Sequence, residues 1–125
     1  DILMWLPLQK IIFGGDVLSS DWMPVITDHG NVPHLINTLN YITKLEPKFV
    51  LTGHGNSTTV KSVKRDANLL TSVWKKVQSD YINRRNITKT FLEIKAKLGP
   101  KHKKLYKNFT SEIENYVKLM YKLQQ

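Results

Sequence analysis

Two glycine-flanked turns each carry a side chain that can bind a metal ion. Asp16 lies in Gly14-Gly15-Asp16, and His54 lies in Gly53-His54-Gly55. A carboxylate oxygen and an imidazole nitrogen are typical zinc ligands, so together the turns would supply half of a zinc site. Glycine beside each ligand lets the backbone approach a metal ion closely. Alternatively, Asp16 could simply end a strand and His54 could be an ordinary turn residue.

Short strands must position these two turns. Mostly apolar runs at 2–6 and 10–15 predict a β-hairpin that leads into the first turn, and a run at 49–52 predicts the strand that leads to His54. Between them a helix is predicted from Asn31, a residue suited to capping, to the stop signal at Glu46-Pro47. The resulting order is strand, strand, helix, strand, which is an α/β (α+β) arrangement.

The rest of the chain has a helical pattern. Apolar residues recur at alternating intervals of three and four and predict one long helix with a core-facing stripe. The members of this stripe are Val60, Val63, Ala67, Leu70, Trp74, Val77 and Tyr81. The basic residues off the stripe are expected to lie in water; they are Lys75, Lys76, Arg84 and Arg85.

Two shorter helices are predicted to follow. Thr88 is suited to cap the first, and Gly99-Pro100 is expected to end it, because glycine favours a left-handed turn and proline cannot continue a helix. Ser111 and Glu114 have the spacing of a capping box for the second. Leu105, Tyr106 and Phe109 are expected to anchor the connection between these helices.

Residues 1–57 resemble the C-terminal half of the metallo-β-lactamase superfamily. The segments that carry the resemblance are 1–7 (DILMWLP), 10–18 (KIIFGGDVL) and 47–55 (PKFVLTGHG). The resemblance implies the second half of a four-layer αββα metallo-β-lactamase fold, here with a helical C-terminal extension. It also implies that Asp16 bridges two zinc ions and that His54 is the last histidine ligand.

The chain also departs from that family. The His-x-His-x-Asp-His motif and one further histidine, which supply most of the family's metal ligands, have no counterpart here. We therefore expect this chain to be the C-terminal fragment of a longer zinc-dependent hydrolase, whose missing N-terminal half is its first partner. The fragment alone is expected to be inactive, with zinc absent or only partly bound.

The family's chemistry defines what the longer protein would do. Two metal ions lower the pKa of a bound water and polarise the bond to be cleaved. The implied reaction is hydrolysis of a small-molecule substrate, namely an ester, lactone, thioester or lactam, by a metal-activated hydroxide. Asp16 would act in catalysis through the metal.

The loop from Ser19 to Asn31 is expected to face the substrate, because in the family the stretch after the bridging carboxylate runs over the metal site. Trp22 could pack against an apolar substrate group or instead cover the core. His29 could donate a proton or instead lie on the surface. A less favoured alternative is that Asp28 and His29 complete a metal site with the two turn ligands.

The other two histidines are assigned no role in the site. His34, in the first turn of a predicted helix, is expected to be structural or exposed. His102 lies in a lysine-rich run and is expected to face solvent.

Charge divides the chain into two regions. Residues 1–57 hold three lysines and five acidic residues, a net charge of −2, whereas residues 58–125 hold sixteen basic and five acidic residues, a net charge of +11. We predict a β/α half-domain over 1–57 with a basic helical region over 58–125 packed on it. The alternative to a zinc-dependent hydrolase is therefore a basic helical module that binds nucleic acid or an acidic partner without catalysis. Nucleic acid is the less favoured partner, because the aromatic residues fall on apolar faces.

Composition argues against a disordered protein and against a membrane-spanning one. The chain is 41% hydrophobic and 23% charged, which is typical of a folded protein, and no apolar run is long enough for a membrane span. With no cysteine there are no disulfides or thiolate ligands, and the compartment, cytoplasm or periplasm, stays open. A half-domain should also expose apolar surface, so self-association is expected.

Overall fold

Strands occupy the first part of the chain and helices dominate the rest. The computed structural model describes residues 3–53 and 56–125. Within them the fold is mixed α+β, which confirms the predicted class at that level. The elements in chain order are β1 (Met4–Leu6), β2 (Ile11–Phe13), α1 (Val32–Lys44), β3 (Phe49–Leu51), α2 (Val60–Ile82), α3 (Ile87–Leu105) and α4 (Phe109–Lys122).

The sheet has the order β1-β2-β3. β1 and β2 form the predicted antiparallel hairpin, with Trp5 opposite Ile12. β3 pairs parallel to β2, with Phe13 opposite Leu51, and α1 is part of the connection that parallel pairing requires. Since β2 and β3 run in the same direction, their carboxyl ends meet at one edge of the sheet.

The two faces of this sheet differ in what covers them. Ile12 and Val50, which are 1% and 0% exposed, point into the core. The opposite face is formed by alternate residues of the three strands, and every one of them is apolar. Those residues are Met4, Leu6, Ile11, Phe13, Phe49 and Leu51. Met4 and Phe49 are each 56% exposed, so this open sheet face is in contact with water.

The helices begin and end mostly as the sequence predicts. Asn31 caps α1 by accepting a hydrogen bond from the backbone of His34 at 3.0 Å, and α1 ends at Lys44, ahead of Pro47. The predicted stripe of α2 lies against the core, where Val63 and Leu70 are 1% and 0% exposed. Buried residues of the sheet and of all four helices form one hydrophobic cluster.

The predicted end of α3 at Gly99-Pro100 is wrong, because the helix continues to Leu105 with Pro100 inside it. Proline normally clashes with the Cβ of the residue before it when that residue is helical. Gly99 has no Cβ, which reduces this clash. The carbonyl that loses its helical partner belongs to Ala96, an exposed residue, and can be hydrated instead.

The predicted caps of the last two helices are also wrong. Asn86, not Thr88, caps α3 by accepting a hydrogen bond from the Thr88 backbone at 2.7 Å. α4 begins at Phe109, ahead of the expected capping box, and its Asn108 side chain does not cap it. Instead Asn108 accepts a hydrogen bond from the backbone of Met23 at 2.9 Å. A long-range contact therefore replaces the local cap.

Lys76 and Arg85 are predicted to lie in water, but both pair with Asp80 and Glu93. Lys76 lies 3.0 Å from Asp80 and Arg85 lies 3.3 Å from it, and both also contact Glu93 at 2.5 Å. Arg85, and then Lys76, lower the pKa of Glu93 to about 2. Burial raises the pKa of Asp80, but a hydrogen bond from Thr90 and the contacts with the two cations outweigh it, and the net shift is downward.

Replacing Thr90 with valine is expected to lower the free energy of unfolding by about 1–2 kcal/mol. Thr90 is fully buried, and its hydroxyl donates to Asp80 Oδ2 at 2.8 Å, so the isosteric valine leaves a buried carboxylate oxygen short of one donor. Urea unfolding measures the change. Thr88→Val, at an exposed position of the same helix, is the matched control, and equal losses in both variants would contradict the assignment.

A second buried carboxylate joins α2 to the far end of α3. Asp66 is 1% exposed, and its Oδ1 accepts hydrogen bonds from the Tyr106 hydroxyl at 2.6 Å and from Arg65 at 3.0 and 3.1 Å. Burial raises the pKa of Asp66 to about 6, although the hydrogen bond from Tyr106 and the charge of Arg65 act in the opposite direction.

This shift makes stability depend on pH in a predictable direction. The pKa of Asp66 is higher in the folded protein than in the unfolded chain. The stability that the protonated Asp66 side chain contributes is therefore fully present in acid and is lost as the pH rises through about 6. We expect it to remove about 2 kcal/mol from the free energy of unfolding between about pH 4 and about pH 7. Urea titrations of the protein and of Asp66→Asn at both pH values measure this. The same pH dependence in both would contradict it.

Candidate functional site

Two backbone hydrogen bonds join the turns that follow β2 and β3. The backbone N–H of Gly14 donates to the carbonyl of Leu51 at 3.0 Å, which extends the pairing beyond the strands. The N–H of Gly53 then donates to the carbonyl of Gly15 at 2.8 Å. The two turns predicted from sequence therefore touch each other at the edge of the sheet.

Glycine is required at two positions of this contact. Gly15 has φ of +51°, a left-handed conformation that other residues adopt only with strain. A Cβ added to Gly53 would lie 2.7 Å from the carbonyl carbon of Gly15 and 2.9 Å from Asp16 Oδ1. A side chain at residue 53 would therefore occupy space beside the carboxylate of Asp16.

Asp16 projects from this contact towards solvent. It lies in a single 3-10 turn, Gly15–Val17, and its side chain is exposed. The structure thus brings the predicted carboxylate ligand to Gly53, the residue that precedes His54 in the sequence. His54, the second predicted ligand, lies outside the described residues.

The alternative metal site that includes Asp28 and His29 receives no support from the described residues. Within 3–53 and 56–125, no three His, Cys, Asp or Glu side chains are placed to hold a metal ion together, so Asp16, Asp28 and His29 do not form such a group. His29 is 93% exposed and lies 3.7 Å from Asp28. Zinc ligation by Asp16 with His54 stays a prediction.

A cavity of about 360 Å³ opens beside Asp16. Its walls are mainly apolar, and they come from the loop after the turn and from the residue before α4. The lining residues are Asp16, Leu18, Ser19, Trp22, Met23, Val25 and Asn108. Trp22, which is 50% exposed, therefore faces the same space as the predicted metal ligand, whereas His29 does not line it.

The loop that forms this cavity is fixed by long-range hydrogen bonds to α4 and to the two residues before it. Besides the contact of Asn108 with Met23, the backbone of Lys107 donates to the carbonyl of Asp21 at 2.8 Å, and the hydroxyl of Tyr116 donates to the carbonyl of Pro24. Asn108 is the residue that the sequence analysis missed. No signal along the chain shows that an asparagine before a helix will bind a loop 85 residues away.

The remaining histidines occupy different surroundings. His34 is exposed in the first turn of α1, as predicted. His102 is half-buried and therefore less exposed than expected, since its Nδ1 lies 2.9 Å from the carbonyl of Leu98 and its ring stacks on Tyr106.

Across the described part of the chain, no helix is long and apolar enough to cross a membrane.

Comparisons with known proteins leave the family open. No model of a known protein family matches this sequence, and no curated protein matches it.

Proposed function

We propose that this chain is the C-terminal half of a zinc-dependent, metallo-β-lactamase-like hydrolase. The observation that carries the proposal is the contact between the two turns. In this contact, Asp16 Oδ1 lies 2.9 Å from the position that a Cβ on residue 53 would occupy. Gly15 and Gly53, 38 positions apart in the sequence, are brought together at the end of two parallel strands, which is where a rigid ligand pair would be built.

The carboxylate of Asp16 fits a zinc centre of this kind. Asp16 offers an exposed carboxylate on a short, hydrogen-bonded turn, and the bare backbone of Gly53 keeps the space beside it clear. Asp16 and His54 would hold zinc together with ligands from the other half of the protein. When bound, the metal would lower the pKa of a coordinated water and polarise the bond under attack.

The open sheet face supports the half-domain part of the proposal. Six apolar side chains form that face, and two of them are more than half exposed. An apolar sheet face is normally packed against another layer of structure. We propose that the N-terminal half covers it in the longer protein, and that the separated chain self-associates through it.

The cavity indicates what kind of substrate would be bound. Trp22, Met23 and Val25 provide apolar contact area beside Asp16, and Asn108 provides a polar group. A substrate with an apolar group next to its hydrolysable carbonyl fits these walls best. Asp16 would then hold the metal beside the carbonyl, while Trp22 packs against the apolar group.

The test uses the longer protein that extends this chain upstream. Zinc per molecule is measured by mass spectrometry, and hydrolysis is measured for a lactam, a thioester and a lactone, each with an apolar and a polar side group. We expect zinc binding that depends on Asp16 and His54, and a preference for the apolar member of each pair. Full zinc content in both Asp16→Ala and His54→Ala would overturn the proposal.

A further inference from the structure

α2 and α3 form an antiparallel helical hairpin. The contacts between them run in opposite senses along the chain: Asp80 bonds Thr90 near the turn, and Asp66 bonds Tyr106, the residue just after α3, at the open end. The first turns of α2 therefore lie beside the last turns of α3. Both segments are rich in lysine, so the fold concentrates positive charge there.

A cleft of about 490 Å³ lies between these two segments. Five of its lining side chains carry a basic nitrogen, and the others are neutral, so no carboxylate lines it. The basic residues are Lys61, Lys64, Arg65, Lys101 and His102.

Most of the positive charge in the basic cleft is uncompensated. Among the described residues, Lys61, Lys64 and Lys101 have no carboxylate within ion-pair distance. By contrast, Lys76 and Arg85 at the other end of the hairpin are paired with Asp80 and Glu93. Like charges held together without a counter-charge repel one another, and an anion between them would relieve that repulsion.

Arg65 is held rigidly at the base of the basic cleft. Its Nε and Nη2 both donate to Oδ1 of buried Asp66, at 3.1 and 3.0 Å, and its guanidinium carbon lies 4.3 Å from the centre of the Tyr106 ring. No described residue bonds its Nη1. A guanidinium fixed in this way binds an anion with little loss of side-chain entropy.

His102 is also oriented by its neighbours. Its Nδ1 donates to the carbonyl of Leu98 at 2.9 Å, and its ring lies nearly parallel to that of Tyr106, with an interplanar angle of 7°. Nε2 is therefore the nitrogen left for a ligand. It can accept a proton from a P–OH group or, when protonated, donate to an oxyanion.

We propose that the basic cleft binds the phosphate group of a small phosphate ester. A phosphate dianion offers more acceptor oxygens and about twice the negative charge of a carboxylate to the lysines and Arg65. The volume is within the range of small-molecule sites. A nucleic-acid strand is a poorer fit, because base stacking needs an open aromatic face and Tyr106 is 2% exposed beneath Arg65 and His102.

Calorimetric titration of the 125-residue chain with pyrophosphate and with adenosine monophosphate tests the proposal. We expect Lys64→Gln combined with Lys101→Gln to weaken binding of both at least about tenfold, since each lost charged hydrogen bond is worth roughly 1 kcal/mol or more. Lys75→Gln combined with Lys89→Gln is the matched control. It removes the same charge from exposed positions of the same two helices outside the basic cleft.

Three results would overturn the proposal. The first is that neither pyrophosphate nor adenosine monophosphate binds. The second is that the two double variants weaken binding of these probes equally. The third is that poly(U) RNA binds more tightly than the probes and that both double variants reduce its binding equally. The charge-preserving pair Lys64→Arg and Lys101→Arg should retain affinity. Unchanged melting temperatures would show that the variants fold.

Discussion

Replacing Asp16 with alanine in the longer protein is expected to lower kcat/KM by a factor of about a thousand or more and to reduce bound zinc. A bound metal contributes several kcal/mol of charge stabilisation to the transition state, and about 1.4 kcal/mol corresponds to a factor of ten. The fold of the variant should be intact, since Asp16 is exposed and contributes nothing to the core. Zinc content, steady-state kinetics and circular dichroism measure the three effects.

Asp28→Ala is the matched control for this experiment. Asp28 is a carboxylate from the adjoining loop, its side chain is 56% exposed, and the structure does not group it with Asp16 and His29. It should keep full zinc content and activity. If Asp28→Ala lost as much zinc as Asp16→Ala, the alternative four-ligand site would replace the assignment made here.

Replacing Gly53 with valine is expected to lower the free energy of unfolding by about 3 kcal/mol and zinc affinity by about 10–100-fold. The atoms that a Cβ would meet at 2.7 and 2.9 Å are the carbonyl of Gly15 and the carboxylate of Asp16. The Gly15 backbone cannot move away cheaply, because it accepts the Gly53 N–H at 2.8 Å. Urea unfolding of this chain and zinc titration of the longer protein measure the two losses.

Gly99→Ala provides the contrast. A Cβ at Gly99 would meet only Lys103 Cε at 3.8 Å and Phe109 Cε1 at 4.0 Å, which are ordinary contacts. Alanine inside a helix is favoured over glycine by about 0.5–1 kcal/mol, and this gain offsets the restored contact of a Cβ with Pro100, so the stability of the variant should stay within about 1 kcal/mol of that of the parent protein. A Gly53→Val variant as stable as the parent protein would remove the steric argument for the site.

The sequence predicts those parts of the fold whose cause is local. The hairpin, the Asn31 cap and the stripe of α2 depend on alternation, capping chemistry and periodicity, which are all visible in a short window. That the two turns lie together is expected from the resemblance alone, and the parallel pairing of β2 with β3 that joins them is a feature of the structure.

The features that were not predicted depend on residues distant in sequence. Gly99-Pro100 reads as a stop signal locally, yet α3 passes through it while Gly99 is buried near Phe109. Ser111 and Glu114 have the spacing of a capping box, yet α4 begins at Phe109, and Asn108 before it holds Met23. Lys76 is off the apolar stripe, yet Glu93 on the next helix pairs with it. In each case the tertiary environment outweighs a local preference, which is worth about 1 kcal/mol for a helix cap and about 3 kcal/mol for proline inside a helix.

The parallel pairing of β2 with β3 has a consequence for the order of folding. Ile12 and Val50 are neighbours in the sheet but lie 38 residues apart, whereas consecutive helices α2, α3 and α4 meet through short connections. Closing a long loop is entropically costlier and slower than forming local contacts. We therefore expect the helical hairpins to form first and the strands to pair late, so that Asp16 reaches Gly53 only as folding ends.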